Sequence, residues 1–269
     1  SIVDVSLGDQ VNVKMTILFS DIRSFTSISE SMTPKENFEF LNDYLSEMSP
    51  IIRDNNGYID KFMGDGIMAL FKNSANDAVN AAIKMQKYLY QYNIKAEANG
   101  QHIIKIGIGI NTGQMMLGTL GETNRMEGSV ISDSVNLASR LESINKIYKT
   151  DIIISEETIK NLDKNLFNSR LIDIVTVKGK NKPIKIYEIF DAEIDLIKSL
   201  KKETLNDFKK AILAYQDQSF ETALSLLNKI AKVNPNDQIV SLYIERCTKI
   251  LKEGWNPNKW DGVQHLNEK

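Results

Sequence analysis

"YIDKFMGDGIMALF", residues 58–71, is two short apolar runs on either side of the turn MGDG, and it reads as a β-hairpin. What flanks it decides the fold. "VNVKMTILFSDI" (11–22) is a near-continuous apolar run rich in β-formers, the pattern of a buried central strand. "MTPKENFEFLNDYLSEM" (32–48) then opens a helix, with Thr33 as N-cap, Pro34 at the first helical position and Glu36 completing a capping box. Phe38, Leu41, Leu45, Met48 and Ile52 follow at spacings of three and four, which predicts one buried stripe, and "NNG" (55–57) ends the helix.

Beyond the hairpin a second helix is expected over about 75–98, with Ala78, Val79, Ala82, Ile83 and Leu89 on one face. "HIIKIGIGINTGQMMLGTLG" (102–121) reads as two strands around a turn at Asn111 to Gly113. A helix suits 133–149, a short one 156–163, and strands suit 151–155, 170–179 and 184–190. The economical reading is an α+β fold: a ferredoxin-like β-α-β-β-α-β core with additional strands and helices, antiparallel-rich, its helices on one face. The Gly-rich nucleotide loops of a Rossmann fold or a P-loop are not there.

From about residue 191 the pattern becomes helix only, an all-helical C-terminal extension. Within 208–237, Ala211, Tyr215, Phe220, Ala223, Leu227 and Pro235 stand much as in one tetratricopeptide-like hairpin. A single such unit does not make a solenoid, so it is expected to dock on the main domain or on a partner subunit. The tail "WNPNKWDGVQHLNEK" (255–269) carries two tryptophans expected to pin it down, and no chemistry attaches to it.

Composition narrows the chemistry. A net charge of −2 without a basic block offers nothing to nucleic acid or anionic lipid. One cysteine excludes an intramolecular disulfide framework, and two histidines argue against an imidazole-based metal site or triad, leaving a hard cation held by carboxylates. No apolar run approaches the roughly eighteen residues of a membrane span and no signal peptide opens the chain. The first residue is serine, which suggests a piece of something longer.

Asp21 ends the first strand's apolar run and Asp65 sits in the hairpin turn between two glycines. Neighbouring strand ends can bring two such acids together, and the glycines let backbone approach a phosphate or metal closely. Two converging carboxylates suit magnesium, which takes a few acids plus substrate phosphate oxygens. Either aspartate alone reads as a turn acid.

Four blocks in order change that reading. "TILFSDIRSFTSISE" (16–30), "YIDKFMGDGIMALF" (58–71), "VISDSVNLASRLES" (130–143) and "VKGKNKPIKIYEI" (177–189) together resemble the class III nucleotidyl cyclases, the adenylate and guanylate cyclase family. The resemblance covers about 11–190, which it marks as a catalytic domain, with 1–10 as a coupling segment and 191–269 as the helical extension.

The resemblance implies two Mg²⁺ or Mn²⁺ per active site, held by Asp21, Asp65 and the backbone carbonyl of Ile22. It implies in-line attack of the ribose 3′-hydroxyl of ATP on the α-phosphorus, with pyrophosphate leaving. Asn136 matches the ribose-positioning asparagine and Arg140, four residues on and one helical turn away, the transition-state arginine. Lys178 and, more loosely, Arg125 match positions that reach the triphosphate. Lys61 matches the purine-reading lysine of adenylate cyclases; a lysine only donates, which suits adenine N1 and not the N1–H of guanine. Ser129 stands at the companion position, usually aspartate or threonine.

Gly128 replaces a usual aromatic, and Ser132 in "ISD" replaces a usual glycine, adding a Cβ in a tight stretch. Both departures bear on ATP-versus-GTP choice or on activity. The family builds each site from two catalytic domains arranged head to tail, and this chain carries both residue sets, which implies a homodimer. The resulting expectation is an adenylate cyclase in intracellular signalling, a cytoplasmic domain with its sensor or membrane region upstream. The alternatives are a guanylate or mixed-specificity cyclase, a catalytically silent dimerising or nucleotide-sensing module, and a scaffold whose helical tail recruits a protein.

Overall fold

The computed structural model describes residues 10–122, 125–177 and 182–266. The chain divides into two units, Ser1–Ser143 with Glu157–Asp163, and Ile144–Glu156 with Lys164–Lys269.

In the first unit, β1 (Gln10–Ile22) is the central strand, antiparallel to β3 (Gly66–Phe71) on one side and to β4 (Ile106–Glu122) on the other. β2 (Gly57–Met63) forms the expected hairpin with β3, and β5 (Arg125–Ile131) folds back on the far half of β4. α1 (Phe25–Ser29) follows β1, and α2 (Pro34–Asp54) and α3 (Ala75–Ala98) flank the hairpin in sequence. The α2 capping box is formed: Glu36 N–H donates to the Thr33 hydroxyl at 3.3 Å, and Thr33 N–H to Glu36 Oε2 at 2.7 Å.

The α2 stripe differs from its prediction. Tyr44, Met48, Ser49 and Ile52 are buried, Leu41 and Leu45 half-buried, and Phe38 is 71% exposed. The fully buried residues lie from Tyr44 onward, and in the first turns it is Phe40, stacked on Phe25 of α1 with ring centroids 6.3 Å apart, that finds a partner, not Phe38.

Residues 102–121 also depart from the expected pair of strands. There is no turn at Asn111 to Gly113: β4 runs straight through, in unbroken register with β1 from Gly118 opposite Gln10 to Ile106 opposite Ile22. The glycines serve helix packing. α4 (Asp133–Tyr148) lies along β4, and Gly107, Gly109 and Gly113 share the face it covers. A Cβ on Gly109 would sit 2.1 Å from Glu142 N and 2.4 Å from Ala138 O, and one on Gly113 would meet Ser134 Oγ at 2.2 Å. On this face Met15, Ile17, Phe19, Met68, Leu70, Met115 and Ala138 form one cluster. The other face takes α2, since Ile52 and Phe71 close over Gly57 there. Helices therefore cover both faces, not one as expected.

In the second unit, β8 (Ile184–Ile189) pairs antiparallel with both β6 (Ile152–Ser155) and β7 (Ser169–Val177). α6 (Asp195–Gln216), α7 (Phe220–Val233) and α8 (Gln238–Glu253) pack in succession, while the short α5 (Glu156–Lys160), which precedes β7 in the chain, belongs to the first unit from Glu157 on. A buried ion network ties these helices to the strands. Arg170 on β7 donates to Glu188 on β8 at 2.5 Å and, through both terminal nitrogens, to Asp237, the N-cap of α8, at 2.7 and 2.9 Å. Lys201 on α6 completes it, 2.8 Å from Glu188.

Trp255 and Trp260 stack edge-on against Phe220, and the Trp260 indole donates to Gln216 O at 3.0 Å, so both tryptophans of the tail pack as anticipated. The tail then adds β9 (Gln264–Leu266), parallel to β7, which the sequence pattern did not reveal. Among the described residues no helix is long and apolar enough to cross a membrane.

Candidate active site

Strand register brings the two acids together. Ser20 stands opposite Ile67, so the end of β1 and the turn before β3 face each other. Ile22 N–H donates to Asp65 Oδ2 at 3.1 Å, and Asp21 Oδ1 lies 3.6 Å from where a Cβ on Gly66 would be. Gly64, at φ +66°, takes the left-handed conformation that closes this turn without strain. Both aspartates are half-buried and reachable by solvent, Asp21 near the end of β1 and Asp65 in the tight turn between β2 and β3.

Among the described residues no three acidic, histidine or cysteine side chains gather into a full coordination set. Two carboxylates fit a hard divalent cation that completes its shell with water or with the oxygens of an anionic ligand. Beneath them sits Tyr44: burial pushes its hydroxyl well above the usual tyrosine value, and the charges of Asp65 and Asp21 push the same way. It stays a neutral donor.

α4 carries the second predicted group. Ala138 packs on Gly109, and Asn136 and Arg140, two residues to either side, fall about 200° around the helix from it. Asn136 is exposed and Arg140 half-buried, on the outward side that they share with exposed Ser143. The helix thus turns this pair away from the face on which Asp21 lies. Ser132, expected to crowd its stretch, instead caps α4: its hydroxyl accepts from Ser134 N–H at 2.9 Å and donates to Gln114 O at 2.6 Å. A glycine there would lose both bonds.

Lys61 lies on β2 just after a bulge at Asp60, and its ammonium is 3.3 Å from the Asp60 carboxylate. A bulge re-aims the side chains next to it, and Lys61 is left 47% exposed. On β5, Ser129 stands opposite Gly118, Gly128 opposite Thr119 and Arg125 opposite Glu122, the last of these at the turn end of the hairpin. Lys178 lies outside the described residues. Sequence reasoning named the acids and the α4 pair, and missed the glycine trough and the Ser132 cap that seat α4. The alternate spacing of Gly107, Gly109 and Gly113 was the available signal.

The sequence profile of the adenylate and guanylate cyclase catalytic domain matches residues 9–191. The chain belongs to this family. Among cyclase relatives, the terminal-differentiation-specific adenylate cyclase of Dictyostelium discoideum is 40% identical over 93% of this chain, helical extension included, and 12% of its own length. An adenylate cyclase of Anabaena cylindrica is 45% identical over 69% of this chain and 38% of its own. The chain therefore spans well under half of either protein. Among solved cyclase structures, the adenylyl cyclase CyaB from P. aeruginosa is 36% identical with a TM-score of 0.61, covering 70% of this chain and 99% of that one. The guanylyl cyclase Cya2 is also 36% identical, with a TM-score of 0.59, covering 68% and 94%.

Proposed function

We propose that this chain is the catalytic portion of an adenylate cyclase, converting ATP to 3′,5′-cyclic AMP and pyrophosphate. The observation that carries the reading is the convergence of Asp21 and Asp65 at one sheet end, tied by the Ile22 amide, in a chain 40–45% identical to two adenylate cyclases.

Asp21, Asp65 and the Ile22 carbonyl would hold two Mg²⁺ or Mn²⁺, which would supply a lowered pKa for the ribose 3′-hydroxyl and neutralisation of the triphosphate. Asn136 orients the ribose so that its 3′-oxygen lies in line with the bond to be broken. That oxygen gives its proton to solvent water as it attacks the α-phosphorus, and the bond from the α-phosphorus to the oxygen bridging to the β-phosphate breaks, its electron pair leaving with pyrophosphate. Arg140 stabilises the charge that develops on the phosphoryl oxygens, and Lys178 and Arg125 hold the leaving pyrophosphate. Lys61 and Ser129 read the purine.

The active species is a head-to-tail homodimer. The outward turn of Asn136 and Arg140 on α4, away from the face that carries Asp21, supports a site completed by a second copy. Mixed or guanylate specificity is the second reading, favoured by equal identity to a guanylyl and an adenylyl cyclase structure and by Gly128–Ser129. Residues 11–190 act as the catalytic domain, and the parent protein carries a regulatory input upstream. The test is turnover of ATP and GTP, separately and in competition, with Mg²⁺ or Mn²⁺, beside Asp65→Ala. Cyclic AMP lost in the variant supports the reading; cyclic GTP alone moves it to the second; no product from dimeric protein counts against both.

A further inference from the structure

We propose that the Tyr44 and Ser20 hydroxyls form a positioning pair for the carboxylate of Asp65. The inference rests on the reading of Asp21 and Asp65 as cation ligands, and gives a role to two residues behind them that the resemblance left without one.

Tyr44 on α2 is 3% exposed and Ser20 on β1 is 1% exposed. Their hydroxyls face each other, yet both oxygens are closed off from solvent and neither makes a well-formed hydrogen bond. Burying a hydroxyl in that condition costs about 1–3 kcal/mol, and phenylalanine and alanine would fill the same space without it. Two such groups facing each other at one end of a strand need a partner that a different state of the site supplies.

The geometry identifies that partner. Ser20 and Ile22 share the face of β1 that α2 covers, while Asp21 lies on the other. Asp65 reaches onto the Ile22 amide, 3.1 Å from Oδ2. Ser20 stands opposite Ile67, two residues from Asp65, and its carbonyl oxygen lies 3.5 Å from where a Cβ on the intervening Gly66 would be. A carboxylate offers about four lone-pair positions, of which a cation and one amide leave some unserved. Donors behind a ligating carboxylate fix its orientation, and their loss typically weakens metal binding by about 10–100-fold. With Asp65 turned to a cation, the Ser20 hydroxyl donates to its free oxygen and Tyr44 donates to Ser20.

The test is Mn²⁺ binding to the nucleotide-free full chain, followed by the loss of the free Mn²⁺ electron paramagnetic resonance signal. The variants are Tyr44→Phe, Ser20→Ala, the double variant and Asp65→Asn. Each single hydroxyl variant is expected to bind Mn²⁺ about tenfold more weakly. The double variant should be no weaker than the worse single one, because the pair acts as a unit. Metal-free unfolding midpoints should be unchanged or raised, an orphan having been removed. Parental Mn²⁺ binding in both single variants, with Asp65→Asn impaired, overturns the proposal and leaves the metal site standing. Parental binding in Asp65→Asn as well overturns both. Should Tyr44→Phe fold poorly, Ser20→Ala, which deletes one oxygen, decides.

Discussion

Gly109→Ala is the sharpest test of how the sheet seats α4. The added methyl would stand 2.1 Å from Glu142 N, 2.4 Å from Ala138 O and 2.7 Å from Leu141 C, where ordinary contact begins at 3.4 Å. All three atoms are backbone, so no rotamer change relieves the clash and the helix must draw back by roughly 1 Å. Overpacking of this kind costs about 2–3 kcal/mol, which for a domain of this size lowers the unfolding midpoint by roughly 5–10 °C. Gly107→Ala is the control. Its methyl meets Glu142 Oε1 at 2.8 Å, a side-chain tip that can move, so the loss should be far smaller. Because α4 carries Asn136 and Arg140, a retreat of that size should also cut kcat by about a hundredfold at 25 °C, where the variant remains folded. Differential scanning fluorimetry and a cyclisation assay read both effects. A Gly109→Ala midpoint within 1 °C or so of the parent would refute the close packing of α4 on β4.

Other outcomes follow from the same structure. Ser132→Ala removes the α4 cap and should cost about 1 kcal/mol in urea unfolding, whereas Ser132→Gly, the family's usual residue and itself a tolerated cap, should cost only a few tenths of that. Arg170→Met leaves Glu188 and Asp237 buried without their shared cation, and should destabilise by about 3–5 kcal/mol in the same assay. Burial pushes the Glu188 carboxyl up, but the Arg170 and Lys201 charges outweigh it and hold it at about 2, below the usual 4.5. Its contribution is therefore complete above about pH 4.5 and is lost as pH falls towards 2, which urea midpoints across that window should trace. Glu193 goes the other way. Burial, only partly offset by Lys201, lifts it to about 7, so the stability tied to its neutral form is present below pH 4.5 and lost as pH rises through 7. Glu193→Gln should consequently raise the midpoint at pH 8 relative to the parent and leave it little changed at pH 4.

The parts of the fold legible in the sequence are those with local physics. Thr33, Pro34 and Glu36 specify a helix start through bonds within one turn, and all of them form. The apolar run at 11–22 and the hairpin at 58–71 declare themselves by pattern, and the position of Asp21 and Asp65 at adjoining strand ends follows from it. What stayed hidden depends on elements far apart in the chain. Glycine at 107, 109 and 113 reads locally as turn punctuation, and only the arrival of α4 shows it to be room for a backbone. Phe38 has the spacing of a core residue, but burial depends on what lies opposite. β9 is three residues whose only signature is its partner β7, and the acid that joins Arg170 across the core, Asp237, looks like any helix cap. At the candidate site the residue types were readable from the four ordered blocks. The Tyr44–Ser20 pair was not, because an isolated tyrosine in a helix carries no sign of where its hydroxyl ends.

The most direct test of a composite, two-copy cyclase site is complementation between two inactive variants. On the proposed reading Asp65→Ala removes the metal half of the site and Arg140→Ala the transition-state half, so each alone should make almost no cyclic AMP. Co-expressed and purified together, they should form mixed dimers in which one of the two sites has both halves intact. Random pairing then predicts about a quarter of the parental cyclic AMP production. A mixture that contains mixed dimers and stays inactive, beside an active parent, would contradict the account.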